Sequence, residues 1–491
     1  MTNLRLHKIA FIAAFFCFLY RCTPNLRLIK YNPPKSSSTV SVSESKTETV
    51  VDTQTTTAET EAVDSLSSFD TSATVEINFS SAFDSTIDTT SFATVASDSS
   101  LELKWYPPHK IVKRRVRIAL ERNTSEASFS TSKKIFLKTS TKNIGITAQK
   151  FSVRCSKDGR FFFSGSKGVR EISCPCTLLT SGTEDLIMFN QVLYRGNLVL
   201  LSEQKGTFSV INHIDVEQYL RGVVPLEIGK RPESLIEALK AQAVAARTYT
   251  YKRMLERKNA PFDMTATVQD QVYGGADPEY RESDLAIKMT EDLIMVYKDS
   301  LINAYYHSTC GGKTANIEDV WEKPYCSYLR SVSDLNSSGQ PYCQISPRFH
   351  WQEKWTSAIF FDQIRNNLSK AFPEKVRQGS IKEISVKESF SCGRVKRCVF
   401  SGNNWTVDMG GDRLRFIIRR DTPDKSILRS ANFKIVSLGS KEVLISGTGY
   451  GHGVGMCQMG AIGRAAANQS FEEILKAYYT GVVICAATEQ G

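Results

Sequence analysis

Glu227 is the residue whose neighbours best equip it to move a proton. It stands in Val223-Val224-Pro225-Leu226-Glu227-Ile228, an apolar run that takes a carboxyl partly out of water and favours its protonated form. A carboxyl kept protonated near neutral pH is what a general acid requires. Pro225 leaves the backbone little freedom, Gly229 permits a turn, and Pro232 suits the first turn of a helix. The dipole of that helix and nearby cations act the other way, toward the carboxylate. The sign of the net shift is therefore open at this level. So is the competing role, a structural acid paired with Lys230 or Arg231.

Four longer segments surround this residue type with more specific patterns. They are Asn212-His213-Ile214-Asp215-Val216-Glu217-Gln218-Tyr219-Leu220-Arg221-Gly222 running into Val223 to Glu227, then the alanine-rich stretch from Glu237 to Tyr249. His307-Ser308-Thr309-Cys310-Gly311-Gly312-Lys313-Thr314 follows, and last Gly449-Tyr450-Gly451-His452-Gly453-Val454-Gly455-Met456-Cys457-Gln458-Met459-Gly460-Ala461. In this order the segments resemble the sporulation stage II protein D family (SpoIID/LytB), and the resemblance covers about residues 110–487. It implies a peptidoglycan lytic transglycosylase, or a relative that enhances a wall amidase, with the catalytic glutamate of the V-V-P-x-E motif on Glu227. Such an enzyme needs one carboxyl group where a hydrolase commonly uses two. The acid protonates the oxygen linking N-acetylmuramic acid to N-acetylglucosamine, then takes the proton of the sugar's own C6 hydroxyl, leaving a 1,6-anhydro end.

The resemblance also suggests contacts for the other polar residues. Lys240 and Arg247, seven apart and so on one helical face, could bind a lactyl carboxylate or sugar oxygens, or simply form a solvated face. Gln242 and Gln458 are further candidates. Gly451 to Gly455 is too rich in glycine for a helix and predicts a tight loop whose amides approach a sugar. There His452 contacts the glycan, orients Glu227, or is structural. His307 sits in a similar strand-to-turn setting, and Tyr328 could stack on a sugar ring or belong to the core. Some family members bind zinc through Cys and His just before a Q-x-Y motif. Here residues 263–270 ahead of Gln271-Val272-Tyr273 hold neither, so no metal and no cofactor is expected. His307-x-x-Cys310 has local ligand spacing without the further ligands a site needs. Cys457 stands where relatives often have serine, and Cys392 and Cys398 flank a possible hairpin and could pair.

The elements that must position these residues follow from periodicity. Residues 110–213 read as short strands: part of 112–120 alternates apolar and basic, and 161–163 and 198–201 look buried, with turn signals at Asp158-Gly159 and Arg195-Gly196-Asn197. From Pro232, Ile236, Leu239, Ala243, Ala246 and Thr250 recur at helical steps. A short helix is expected from Phe471 to Tyr479. The expected fold is α+β: a β-rich subdomain over 101–213, then a mixed α/β catalytic region over 214–491 with a substrate groove between the helix after Glu227 and the loops near His307 and His452.

Composition bounds the rest. With 491 residues, 41% hydrophobic, the chain can build a sizeable core, and only one apolar stretch, residues 9–20, could enter a bilayer. That run is too short for a comfortable span and follows Arg5 and Lys8, as in an export signal or N-terminal anchor over 1–22. Cys22 only loosely resembles a lipidation site. Residues 23–100 form a linker. Within it, 31 of the 65 residues from 36 to 100 are Ser or Thr, and eleven acids face one lysine, so the stretch cannot bury enough apolar surface to fold. Taking this −10 and the +6 of residues 1–35 from the total of +11 leaves +15 on residues 101–491, a body suited to an anionic surface. The expected partners are peptidoglycan glycan strands and a wall amidase, at the periplasm or cell envelope, with the N-terminus able to tether the chain to a membrane. Nucleic acid is disfavoured by the export signal and the lack of a recognisable binding module. Twelve cysteines suit an oxidising compartment. The alternative function is a non-catalytic wall-binding module that stimulates the amidase, and a weaker third is a scaffold at a division site.

Overall fold

A computed structural model describes residues 106–489, apart from 112, 113, 141, 148, 149, 205 and 377–379. The export segment and the Ser/Thr-rich linker lie outside these residues. The chain is α+β. Thirteen strands come first, between Pro108 and Asp215. Their burial alternates along Glu126–Thr131 and Lys150–Cys155, because successive side chains of a strand point to opposite faces. Phe129, Phe151, Phe163 and Phe189 stack on one such face at ring-centroid distances of 5.3–5.4 Å. These strands form most of a six-stranded and a seven-stranded sheet. Phe208–Asp215, inside the larger sheet, leads directly into the helix Val216–Arg221, which Asp215 caps by accepting from the Glu217 N–H.

The long helix Ile236–Glu256 is the centre of the helical part. Every residue from Ala238 to Tyr251 is buried. The expected solvated face with Lys240 and Arg247 does not exist, because other elements surround this helix. The helices Arg281–Met289, Gln458–Ala466 and Phe471–Tyr478 and the strand Leu293–Tyr297 all pack on it. Its many alanines allow that close approach. A four-stranded sheet closes this part: Val483–Glu489 runs parallel to Pro108–Ile111 and antiparallel to Leu293–Tyr297, joining both ends of the described chain.

Residues between 351 and 445 build a second apolar core, around Trp351, Trp355, Phe360, Phe400 and Ile445. Two three-stranded sheets, His350–Thr356 with Glu442–Thr448 and Phe433–Leu438, and Glu383–Ser389 with Val395–Ser401 and Thr406–Met409, share it with the helix Ser357–Ala371. Sequence periodicity alone gave no reason to separate this part from the rest of 214–491. The hairpin expected around Gly393 is present, but Cys392 and Cys398 are unpaired, as are the eight other cysteines of the described residues. None of the described helices is long and apolar enough to cross a membrane.

Candidate functional site

Glu227 ends a four-residue helix, Val224–Glu227, with Pro225 in its first turn. Val223 and Val224 are fully buried and Ile228 nearly so, while Gly229 turns the chain away with φ +78°. Glu227 as a whole residue is half-buried. Its expected structural partners are engaged elsewhere: Arg231 donates to the Ile228 carbonyl at 2.8 and 3.0 Å, and Lys230 lies over the Tyr280 ring. Burial is the main influence and pushes the carboxyl up to about 7. The Val272 N–H at 3.0 Å, the Gln458 side-chain amide and the Tyr306 hydroxyl act in the opposite direction. The sign left open by the sequence is thus upward, because desolvation has no cation to oppose it.

The Q-x-Y segment holds the donor of the shortest of these bonds. Gln271, almost fully buried, accepts from the Tyr219 and Thr250 hydroxyls at 3.1 Å each and donates to the Ala246 carbonyl. Tyr273 donates to Asn212 at 3.0 Å. Gly222 has no room for a side chain, since a Cβ there would stand 2.2 Å from the Gly275 carbonyl oxygen. Val272 is thereby fixed against Glu227. The acids of the preceding segment are committed to ion pairs, Asp263 with Arg117 and Asp270 with Arg257, so this segment does not fit a zinc site.

A two-residue parallel pairing brings the distant motifs to the same carboxyl: Tyr306 pairs with Met456 and His307 with Cys457. Gln458, the next residue, starts the helix Gln458–Ala466 and points its amide at Glu227 Oε2, 3.5 Å away, and at Gln242 Oε1, 3.4 Å away. The Gln242 amide nitrogen is buried without a hydrogen-bond partner in the protein, and the buried Tyr306 hydroxyl stands near enough to the Glu227 carboxyl to act on it without a well-formed bond. Tyr306 was not anticipated; no local pattern marks it, and only the pairing of 306–307 with 456–457 places it here.

The glycine loop is as tight as its composition suggests, with φ of +104°, +92° and +71° at Gly451, Gly453 and Gly455. His452 accepts from the Val454 N–H at 3.1 Å through Nδ1, so its proton resides on Nε2, which donates to the Tyr306 carbonyl at 3.0 Å. Burial lowers His452 to about 4 and pushes His307 well below the usual histidine range; both rings are neutral at physiological pH. His307 donates from Nδ1 to the Val454 carbonyl at 3.2 Å and its Nε2 has no hydrogen-bond partner in the protein. The two rings lie 5.4 Å apart. His452 therefore holds the backbone of Tyr306 and makes no hydrogen bond to Glu227.

One expected contact needs correction. Arg247 is fully buried, clamped in a bidentate pair with Glu217 at 2.6 and 2.7 Å and donating to the Leu293 carbonyl at 3.1 Å, so its guanidinium serves the fold and does not face a ligand. Tyr328 is half-buried against the core, packs on Tyr297 at 5.5 Å and accepts from the Asn303 N–H through its hydroxyl. Lys240 binds Glu237 at 2.6 Å and lies over the Phe471 ring. A cavity of about 630 Å³ lies on the second core's sheet, lined by His350, Trp351, Phe433 and Thr448, and contains none of these residues.

The chain also matches known proteins. The family model described as stage II sporulation protein matches residues 204–297, which hold Glu227, the long helix and the Q-x-Y segment. A domain of unknown function matches 342–455, the span of the second core. An uncharacterized protein of Brachyspira hyodysenteriae is 33% identical over 304 residues, 62% of this chain and 75% of that protein. The stage II sporulation protein D of Bacillus subtilis is 27% identical over 56% of this chain and 76% of its own length. The amidase enhancer of the same organism is 30% identical over 54% of this chain, which spans only 40% of that relative. Motifs, site and relatives together establish that this chain belongs to the SpoIID/LytB family.

Proposed function

We propose that the protein is a peptidoglycan lytic transglycosylase, with Glu227 as its acid and base. The observation that carries this reading is a single carboxyl on a half-buried residue, free of any cation partner and raised to about 7 by burial. Such a group is close to half-protonated near neutral pH, so it can serve first as donor and then as acceptor. In the proposed reaction Glu227 gives its proton to the oxygen between N-acetylmuramic acid and N-acetylglucosamine. The C1–O bond breaks, the C6 oxygen of the same sugar bonds to C1, and the C6 hydroxyl proton returns to the Glu227 carboxylate. Gln458 and the Val272 N–H hold the carboxyl in place, and the buried Gln242 accepts from the Gln458 amide and so fixes it in turn. The preferred substrate would be glycan free of stem peptides, attracted by a cationic body, at the cell envelope.

A second reading is favoured by the relative named amidase enhancer: a module that binds the wall and speeds an amidase without cutting glycan itself. Products decide between them. Full-length protein is incubated with amidase-treated peptidoglycan and the products are separated by mass. Anhydro-ended glycans that vanish with Glu227→Gln are the expected result. Unchanged glycans together with faster amidase release would overturn the enzyme in favour of the enhancer.

A further inference from the structure

One residue before Gln458, at Cys457, begins a cluster of side chains that the proposed reaction does not use. Cys310, Asp334, Cys343 and Cys457 are all buried, and their sulfurs and one carboxylate oxygen lie within 4.8 Å of one another. Cys310 Sγ is 3.4 Å from Cys343 Sγ and 3.3 Å from Asp334 Oδ2. Cys457 Sγ accepts from two backbone N–H groups, Cys310 at 3.1 Å and Gly460 at 3.2 Å. We propose that these four residues form a structural metal site for a tetrahedral, thiophilic divalent ion, zinc above all.

Donor type, spacing and outer partners each support the assignment. Three sulfurs and a carboxylate oxygen are a ligand set of the kind zinc takes in closed sites, and a metal–sulfur distance of about 2.3 Å sets tetrahedral ligands about 3.8 Å apart. The separations of 3.4 and 3.3 Å from Cys310 are somewhat shorter than that edge, and all four donor atoms lie within 4.8 Å of one another, a spacing that small shifts would bring onto one ion. Asp334 is held as metal-ligating carboxylates usually are: Oδ1 accepts from Tyr478 at 2.8 Å and from Arg464 at 3.0 Å, which leaves Oδ2 facing the sulfurs. The backbone N–H bonds to Cys457 are those a thiolate sulfur accepts. Gly460 keeps the space open, because a Cβ there would stand 2.3 Å from Asp334 Oδ2. A disulfide between Cys310 and Cys343 would use two of these groups and leave a third thiol and a buried carboxylate oxygen without purpose. Metal binding would release the thiol protons to solvent.

The site is separate from the segment before Gln271-Val272-Tyr273, and it holds whether or not Glu227 cuts glycan. Its consequence is positional. Cys310 belongs to the loop that begins at His307, and Cys457 immediately precedes Gln458, so one ion would pin both motif loops and the helix start that aims Gln458 at Glu227.

The test is metal content and spectroscopy on the full-length chain, purified under reducing conditions. The expected result is about one zinc per chain, lost in Cys343→Ser and in Asp334→Asn but kept in Cys398→Ser, whose thiol lies in the second core. Replacing the ion with cobalt(II) in the unsubstituted protein, which does not depend on any variant folding, should give thiolate-to-metal charge transfer and the intense visible bands of a tetrahedral site. Folded protein that takes up neither ion, a Cys310–Cys343 disulfide found by peptide mapping of such protein, or zinc retained in both Cys343→Ser and Cys457→Ser would overturn the assignment.

Discussion

Replacing Glu227 with Gln should abolish cutting and, above neutral pH, stabilise the fold. The carboxyl is raised from its ordinary 4.5 to about 7 in the folded protein, so between these values the folded state binds a proton that the unfolded chain does not. Stability therefore falls as pH rises through this window; the loss is absent below the unfolded value and complete above the folded one. At about 1.4 kcal/mol per pH unit, the displacement from 4.5 to about 7 corresponds to roughly 3 kcal/mol, an upper figure because the residue as a whole is only half-buried. Gln has the same shape and no charge to desolvate, so the variant lacks this slope. Urea unfolding of both proteins at about pH 5 and about pH 8 measures the difference directly. The variant should gain on the order of 2 kcal/mol over the unsubstituted protein between the two conditions. Parallel pH dependence in the two proteins would refute the desolvated carboxyl, and with it the physical basis for a proton donor at this position.

Two shorter predictions separate the roles of neighbouring residues. Arg247→Met leaves Glu217 buried without its partner and should cost about 3–5 kcal/mol in urea unfolding, with affinity of the remaining folded protein for glycan unchanged; a loss of affinity at unchanged stability would restore the ligand-binding role. Tyr306→Phe removes a group that lowers Glu227, so the alkaline limb of the cutting activity should move to higher pH while unfolding is little altered; a limb that stays or moves down contradicts the proximity of the hydroxyl to the carboxyl.

What could be foreseen from the sequence was local. The apolar run around Glu227 lies within four positions of it, and the glycine loop declares itself by composition. The alternation that makes the strands of residues 108–215 is likewise carried by near neighbours. Arg247 was harder, because a seven-residue spacing fixes a shared face but not what covers it. This helix is packed on all sides, so its polar residues had to find partners inside the protein. Tyr306 and the sulfur cluster were invisible for a different reason. Tyr306 reaches Glu227 only through pairing with residues 150 positions away, and Cys310 meets Cys457 across 147. No window along the chain contains both members of such a pair. The second core escaped notice because its strands and helix carry the same periodicities as the first.

That second core is more than an appendage, and one side chain shows why. Arg394 sits at the start of its central strand yet is fully buried, with its guanidinium donating to the carbonyls of Lys313 and Cys310 at 3.3 Å each. The same guanidinium occupies the space where a Cβ on Gly453 would fall, 2.1 Å away. Gly453 is therefore glycine for two reasons, a left-handed backbone and an arginine against its open face. The positive charges of Arg394 and Arg415 also add to burial in holding His307 and His452 neutral, against the opposing pull of Asp412 on His452, which preserves the Nε2–H donation from His452 to the Tyr306 carbonyl. An element with its own hydrophobic core thus inserts a charged wedge against the two loops that carry the site. The packing that orients Tyr306 toward Glu227 depends on residues from both cores, although each core could be described without the other.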